Sequence, residues 1–194
     1  MIIQENHYQS LYFQGGSWLE SPQINNMKMS DNSNDFTLQF WASGDSIIYN
    51  EAPALFSIIN STGSIKLVLY RDQGFPSNII LTINSQTYSV EMDDLDFSNP
   101  DTFYLISILF SDNNGIKCYI NNNMLINYPN QSINVDDSQL MIGIRANELK
   151  TIRDHYWYGY IDEIRLWNTM LADSTIQFHY EYPNKLGDYY RYTY

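Results

Sequence analysis

Four carboxylates stand close together in the acidic run Glu91-Met-Asp-Asp-Leu-Asp96. Retaining hydrolysis of a glycosidic bond needs a nucleophile and an acid/base about 5 Å apart, and two carboxylates on one face of a β-strand can supply them. The run leads into Phe97-Ser-Asn-Pro100, however, which is typical of a loop. We therefore interpret it as a solvated acidic loop. No catalytic residues are assigned, and a glycoside hydrolase is the less favoured alternative.

A second set of side chains lies in the segment 145–158, where aromatic rings alternate with amide, carboxylate and guanidinium groups. Amphipathic rings beside such groups suit the faces and hydroxyls of sugars, and they suit protein interfaces equally well. In a regular strand Trp157 and Gly159 point away from the two flanking tyrosines, so part of this set is expected in the core. The candidate ligand-binding residues are Asn147, Asp154, Tyr156, Trp157 and Tyr158.

The three histidines, His7, His155 and His179, are scattered and lack the spacing of a transition-metal site. The single cysteine, Cys118, cannot form an internal disulfide. It shares one side of Ile116-Lys-Cys-Tyr-Ile120 with the two isoleucines, and we interpret it as a small core residue rather than a reactive thiol.

The composition limits the partners. A formal net charge of −12 over 194 residues argues against nucleic acid, because phosphate binding requires clustered cations. The first residues lack the basic and apolar regions of a secretory signal, and no apolar run approaches the roughly 18 residues of a membrane-spanning helix. We expect no membrane insertion.

The elements that must position these side chains are predominantly β-strands. The 17 tyrosines and many isoleucines favour pleated surfaces, and Asn and Gly clusters mark turns between short apolar runs. Tight hairpins are predicted at Asn60–Gly63, Asn84-Ser85, Asp112–Gly115 and Asn121–Asn123. Strands are predicted over Ser10–Phe13, Phe36–Ala42, Ala54–Ile59, Ser64–Tyr70, Asn78–Ile83, Gln86–Glu91, Phe103–Phe110, Ile116–Ile120, Met124–Tyr128, Gln139–Ile144 and Tyr156–Trp167.

One short helix is predicted over Leu171–Tyr180. Ser174 and Gln177 have the spacing of a capping box, and Ala172, Ile176 and Tyr180 fall on one stripe. The chain is predicted to hold a lead-in over residues 1–9, one domain over 10–182 and a Tyr-rich tail over 183–194, which is either an extra edge strand or an arm onto a neighbouring subunit.

Three segments in order resemble the laminin-G/pentraxin-like branch of the concanavalin A-like lectin and glucanase superfamily. Ser10-Leu-Tyr-Phe-Gln-Gly-Gly-Ser-Trp-Leu-Glu20 is similar to the opening strand and turn of that family, and Phe36-Thr-Leu-Gln-Phe-Trp-Ala42 to its core strand. Gly159-Tyr-Ile-Asp-Glu-Ile-Arg-Leu-Trp-Asn168 resembles its closing signature. The resemblance implies an all-β fold, a two-sheet antiparallel jelly-roll sandwich of the concanavalin A-like type, with one short C-terminal helix.

The resemblance also bears on particular residues. Asp162 and Glu163 are expected to hold the sandwich together by accepting hydrogen bonds or pairing with Arg165 or Arg153, and Trp41 and Trp167 are expected to pack. Many relatives bind calcium at a rim of loops through oxygen ligands. No cofactor is required here, but calcium stays an open alternative and the metal is unknown. Its candidate ligands are Asn60, Asn147, Glu148 and Asp154.

The leading hypothesis is a non-catalytic recognition or assembly module that binds a glycan or a protein surface through a rim of loops. The alternative is a structural decoration or fibre-associated protein of a virus or phage particle, with a homo-oligomer or particle subunit as the partner. The expected location is a virion or an extracellular surface reached without a signal peptide, and otherwise the cytoplasm until release.

Overall fold

The computed structural model describes residues 10–23, 35–45, 52–62, 64–72, 75–92, 95–111, 113–131, 133, 135, 137–146 and 153–183. They form two six-stranded antiparallel sheets, a two-stranded ladder and a short C-terminal helix. This architecture confirms the predicted two-sheet sandwich. The lead-in and tail residues 1–9 and 184–194 lie outside the described part, so the expected roles of these two segments stay predictions.

The first sheet has the strand order β1-β14-β3-β8-β9-β10. Its strands are β1 (Leu11–Gln14), β3 (Phe36–Gly44), β8 (Tyr104–Ser111), β9 (Gly115–Ile120), β10 (Asn123–Tyr128) and β14 (Tyr158–Trp167). The second sheet has the order β2-β11-β4-β5-β6-β7. Its strands are β2 (Leu19–Gln23), β4 (Ala54–Asn60), β5 (Ile65–Asp72), β6 (Phe75–Ile83), β7 (Gln86–Glu91) and β11 (Ser138–Ile142).

Alternate residues of both sheets meet in one buried cluster. Phe40 of β3 and Phe56 of β4 face each other across it, with ring centroids 6.2 Å apart. Both side chains are fully buried, and each contributes about 1.5–3 kcal/mol relative to an exposed position. Cys118 lies in the same cluster, and burial raises the pKa of its thiol to about 12, as expected of a core residue.

The helix α1 (Asp173–Glu181) covers part of the outer face of the first sheet. Ile176 packs on Leu109 and Tyr119 there, and Lys117 Nζ lies 2.8 Å from Asp173 Oδ1. The predicted helix is therefore confirmed. Trp41 packs as expected, since it is buried and stacks on Tyr180 of the helix. Trp167 is half-buried and stacks on His179.

The predicted capping box is wrong. The helix begins at Asp173 after Ala172, which makes no side-chain cap, so Ser174 already lies inside the first turn. A tertiary contact fixes this entry instead: Thr37 Oγ1 accepts a hydrogen bond from the Leu171 amide (3.0 Å) and donates one to the Thr169 carbonyl (2.8 Å).

All eleven predicted strands are present, and the hairpin at Asn84-Ser85 has both residues at positive φ (45° and 70°). The prediction missed β2, β12 (Arg145–Ala146) and β13 (Arg153–Asp154). The strand β2 contains Pro22 and has no alternating pattern, which suits its position at a sheet edge. The other two strands are too short to show a period. Among the described residues, no helix is long and apolar enough to span a membrane.

Candidate ligand-binding face

The chain passes over the outer face of the second sheet as it leaves β11. Ser57 lies on that outer face because it alternates with the core residues Phe56 and Ile58, and its Oγ donates to the Ile144 carbonyl at 3.0 Å. Gly143 makes the preceding turn at φ +82°, where an added Cβ would lie 2.6 Å from the Phe13 ring. This turn therefore fixes where the next residues stand on the sheet.

The strands β12 and β13 then form a short antiparallel ladder in which the Cα of Arg145 faces that of Asp154. After the ladder, the His155 carbonyl accepts a hydrogen bond from the Ala54 amide at 2.9 Å, and His155 itself has φ 53°. The Trp157 amide donates to the Gly143 carbonyl at 2.9 Å. The ladder is thus anchored to β4 at its base.

Two half-buried aromatic side chains lie on this face. The rings of Trp18 and Tyr156 have centroids 6.3 Å apart, tilted by 39°. They pack on an apolar floor of Ile59, Met141 and Ile144, which are almost fully buried. One side of each ring packs on this buried floor, which fixes the position of the ring. The remaining surface of both rings is exposed to solvent.

Arg145 and Tyr70 extend this surface. The Arg145 guanidinium carbon lies 5.2 Å from the centroid of the Tyr70 ring. Tyr70 follows the core residue Leu69 in β5 and therefore faces the outer side of the sheet. It lies opposite Ala54 in the ladder between β4 and β5, next to the base of the β12–β13 ladder. We call Trp18, Tyr70, Arg145 and Tyr156 the second-sheet patch.

Three of the five predicted ligand-binding residues are described with their side chains, and these three lie in different places. Tyr156 lies in the second-sheet patch. Tyr158 belongs to β14, where its Cα faces Gln14 of β1, and its ring occupies the space that a Cβ on Gly15 would need. Its ligand role stays a prediction, as does that of Asp154, whose side chain lies outside the described part of the chain, and of Asn147, which lies wholly outside it.

Trp157 is a correction, because its side chain is fully buried in the core and presents no surface to a ligand. Its ring packs against the Phe97 ring in a T-shaped arrangement with centroids 5.4 Å apart, and its Nε1 donates to the Ser43 carbonyl at 3.2 Å. The chain crosses from the second sheet to the first at this point, so the side chain between the two tyrosines turns inward.

Glu91 and Asp96, the two described carboxylates of the acidic run, do not lie on one strand. The strand β7 ends at Glu91, and Asp96 lies in the turn that follows, where its Oδ1 accepts from the amide and the hydroxyl of Ser98. Asp93 lies outside the described residues. Asp162 Oδ1 accepts from the Glu163 amide and Glu163 pairs with Arg165, so the expected pairing with Arg165 is present, within β14 itself.

The calcium candidate Asn60 is used by its own hairpin. Its Oδ1 accepts from the Thr62 amide (3.2 Å), the Thr62 hydroxyl (2.8 Å) and the Ser64 amide (2.8 Å). Within the described ranges, no group of three or more His, Cys, Asp and Glu side chains is arranged to hold a metal ion.

Sequence reasoning missed Trp18 and Tyr70 as members of the patch; Arg145 begins the predicted segment 145–158 but was not among the five selected residues. A signal existed for Tyr70, because the alternation Lys66, Val68, Tyr70 assigns one face of β5. Nothing local links Trp18 to Tyr156, since they come from opposite ends of the chain and meet only when β2 pairs with β11.

The fold resembles several solved structures. It superposes on the heptameric SAP-like pentraxin from Limulus polyphemus with a TM-score of 0.64 at 13% identity, covering 88% of this chain and 81% of that one. The CBM40 of a Ruminococcus gnavus IT-sialidase, bound to α2,3-sialyllactose, gives 0.63 at 12% identity, covering 87% and 94%. Domain 4 of the Geobacillus stearothermophilus arabinanase AbnA, in complex with arabinotriose, gives 0.59 at 16% identity, covering 87% and 74%.

At these identities the structural likenesses establish the fold alone. A comparison with curated proteins gave no match. The family model described as the concanavalin A-like lectin/glucanases superfamily, of the laminin G group, matches residues 13–177. This match spans most of the chain, and the protein belongs to the concanavalin A-like lectin/glucanase superfamily.

Proposed function

We propose that this domain is a non-catalytic carbohydrate-binding module that holds a glycan on the second-sheet patch. The observation that carries the proposal is the placement of Trp18 and Tyr156 side by side, half-buried over a closed apolar floor. Pyranose and furanose rings have apolar C–H faces that stack on such rings, while their hydroxyls need polar partners at the rim of the contact.

Arg145 provides polar groups for the sugar hydroxyls. It follows Ile144, which is part of the floor under Trp18 and Tyr156, and its guanidinium, which lies over the Tyr70 ring, supplies several donors. The backbone ladder of β12 and β13 borders the patch on one side. The patch therefore combines an apolar surface with a directional donor, as sugar recognition requires.

Two of the structural neighbours support this reading by their ligands. The CBM40 was solved with α2,3-sialyllactose and the arabinanase domain with arabinotriose. The non-catalytic part of the proposal rests on the acidic run, where Glu91 ends a strand and Asp96 is engaged in its own turn. A retaining pair needs two carboxylates about 5 Å apart that are free to act on one substrate.

A glycan array followed by calorimetry tests the proposal. We expect the wild-type protein to bind at least one class of oligosaccharide, and Trp18→Ala and Tyr156→Ala each to weaken that binding about 10-fold, which corresponds to about 1.4 kcal/mol. Tyr12→Ala is the matched control, because Tyr12 is a 40% exposed tyrosine on the first sheet, away from the patch. Its affinity should stay within about twofold of wild type.

Two results would contradict the proposal. The first is an array without hits, recorded both in calcium and in EDTA. The second is bound sugar whose affinity falls in Tyr12→Ala and not in the two patch variants. Release of new reducing ends from a bound oligosaccharide would contradict the non-catalytic part alone.

A further inference from the structure

We propose that the glycan held on the second-sheet patch carries a single carboxylate, as in a chain that ends in one acidic sugar, and that Arg145 binds that carboxylate. The inference rests on the proposed function and adds the chemical class of the ligand.

Arg145 is held in a defined place. Its guanidinium carbon lies 5.2 Å from the centroid of the Tyr70 ring, a cation–π contact that restricts the side chain. The guanidinium makes no hydrogen bond within the described part of the chain, and its planar fork of N–H groups matches the two oxygens of a carboxylate. The side chain is half-buried, which lowers the local dielectric and strengthens such a contact.

Two other cations in the described part of the chain have internal carboxylates. Lys117 pairs with Asp173, and Arg165 pairs with Glu163. Among the described side chains, Arg145 has the Tyr70 ring as its contact and no carboxylate. In a chain with 22 Asp and Glu against 10 Lys and Arg, this guanidinium is therefore the group of the patch that selects for ligand charge.

The net charge of −12 limits how much negative charge the ligand can bring. A polyuronate or a sulfated polymer would be repelled by the whole domain, since repulsion acts over a screening length of about 8 Å at physiological ionic strength. One carboxylate that contacts Arg145 gains a short-range bidentate pair and meets little of that repulsion. A single acidic residue in an otherwise neutral glycan is the class that satisfies both conditions.

The experiment measures acidic and neutral members of matched pairs by calorimetry, using 3′-sialyllactose with lactose and cellobiouronic acid with cellobiose. We expect the acidic member of at least one pair to bind about 10-fold tighter than its neutral partner. Arg145→Gln should reduce that ratio to within about twofold, and Arg145→Lys should retain part of it, because a point charge replaces the fork.

Lys66→Gln is the matched control. It makes the same change in net charge on β5, four residues from Tyr70, a separation of about 13 Å along the strand. It should leave the ratio of the two affinities within about twofold of wild type. Circular dichroism and a thermal melt show that each variant is folded before its affinities are compared.

The outcomes are distinguishable. Equal binding of the acidic and neutral members overturns the inference and leaves the proposed function standing. A preference that survives in Arg145→Gln, or that disappears equally in Lys66→Gln, also overturns it. If wild type binds neither member of either pair and has no hits on the glycan array, the proposed function fails and the inference fails with it.

Discussion

His179 Nδ1 lies 2.9 Å from Gln39 Oε1 in the buried interface between α1 and β3. Gln39 donates through its Nε2 to Ser107 Oγ at 2.8 Å, so its Oε1 is left to accept, and His179 must carry a proton on Nδ1. The other ring nitrogen, Nε2, is buried without a hydrogen-bond partner among the described residues. The imidazole is therefore held neutral with one tautomer fixed by the first sheet.

This arrangement predicts that stability falls in mild acid. Burial, with Arg165 nearby, lowers the pKa of His179 from 6.5 to about 4. Between pH 6.5 and about 4, the imidazole is protonated in the unfolded chain and stays neutral in the folded protein. The free energy of unfolding therefore falls as the pH is lowered through this interval. The loss amounts to at most about 3 kcal/mol.

Urea unfolding of wild type and His179→Gln at a series of pH values between 7 and 4 checks this expectation. The variant has no imidazole to protonate, so its stability should decline less steeply over this interval, whatever its stability at pH 7. Parallel curves for the two proteins would show that His179 does not contribute to the acid response.

Substitution of the neighbours Tyr156 and Trp157 is expected to lower stability to different extents. Trp157→Phe removes the hydrogen bond to the Ser43 carbonyl and leaves a cavity beside Phe97, at a cost of about 2–4 kcal/mol in the free energy of unfolding. Tyr156→Phe changes a half-buried side chain and should cost less than about 1 kcal/mol. Chemical denaturation of the two variants gives both values.

The same pair separates fold from function. Trp157→Phe, measured well below its melting temperature, should keep the glycan affinity of wild type within about twofold, because the ring has no exposed surface. A larger loss of affinity at unchanged secondary structure would restore Trp157 as a ligand residue.

The strands were predictable because burial on one face forces a period of two. The strand β7, Gln86–Glu91, has the predicted bounds, and its turn residues Asn84 and Ser85 carry the positive φ that tight hairpins need. The start of α1 was not predictable in the same way, since it depends on Thr37, a residue of a distant strand. The tertiary hydrogen bond, and not a local capping residue, determines where the helix begins.

The candidate site was predictable only in part, for a related reason. Tyr156, Trp157 and Tyr158 are adjacent in sequence, but the chain crosses between the sheets there, and His155 at φ 53° breaks the alternation just before them. Trp18 joins Tyr156 through pairing of β2 with β11, a long-range contact without a local pattern. Period-based reasoning assigns faces within a strand and cannot assign them across such a crossing.

Asn60 is expected to act on stability and not through calcium. Its Oδ1 accepts three hydrogen bonds within the turn between β4 and β5, so Asn60→Ala should cost about 1–2 kcal/mol. Asn60→Asp keeps the acceptor oxygen and should cost less. Thermal unfolding in calcium chloride and in EDTA measures both variants. A wild-type stabilisation by calcium that vanishes in Asn60→Ala would instead make this residue a ligand.

The hairpin between β6 and β7 offers a stabilising change. Ser85 has φ 70° and is exposed, so it bears the steric strain of a left-handed backbone without a compensating buried contact. Glycine adopts this conformation freely, and Ser85→Gly should raise the free energy of unfolding by about 0.5–1 kcal/mol. Ser89→Gly is the control. Ser89 is an exposed residue in the middle of β7, and its replacement should lower the free energy of unfolding by about the same amount. Since both variants add the same flexibility to the unfolded chain, a urea midpoint that moves in the same direction for both would contradict the role assigned to φ at Ser85.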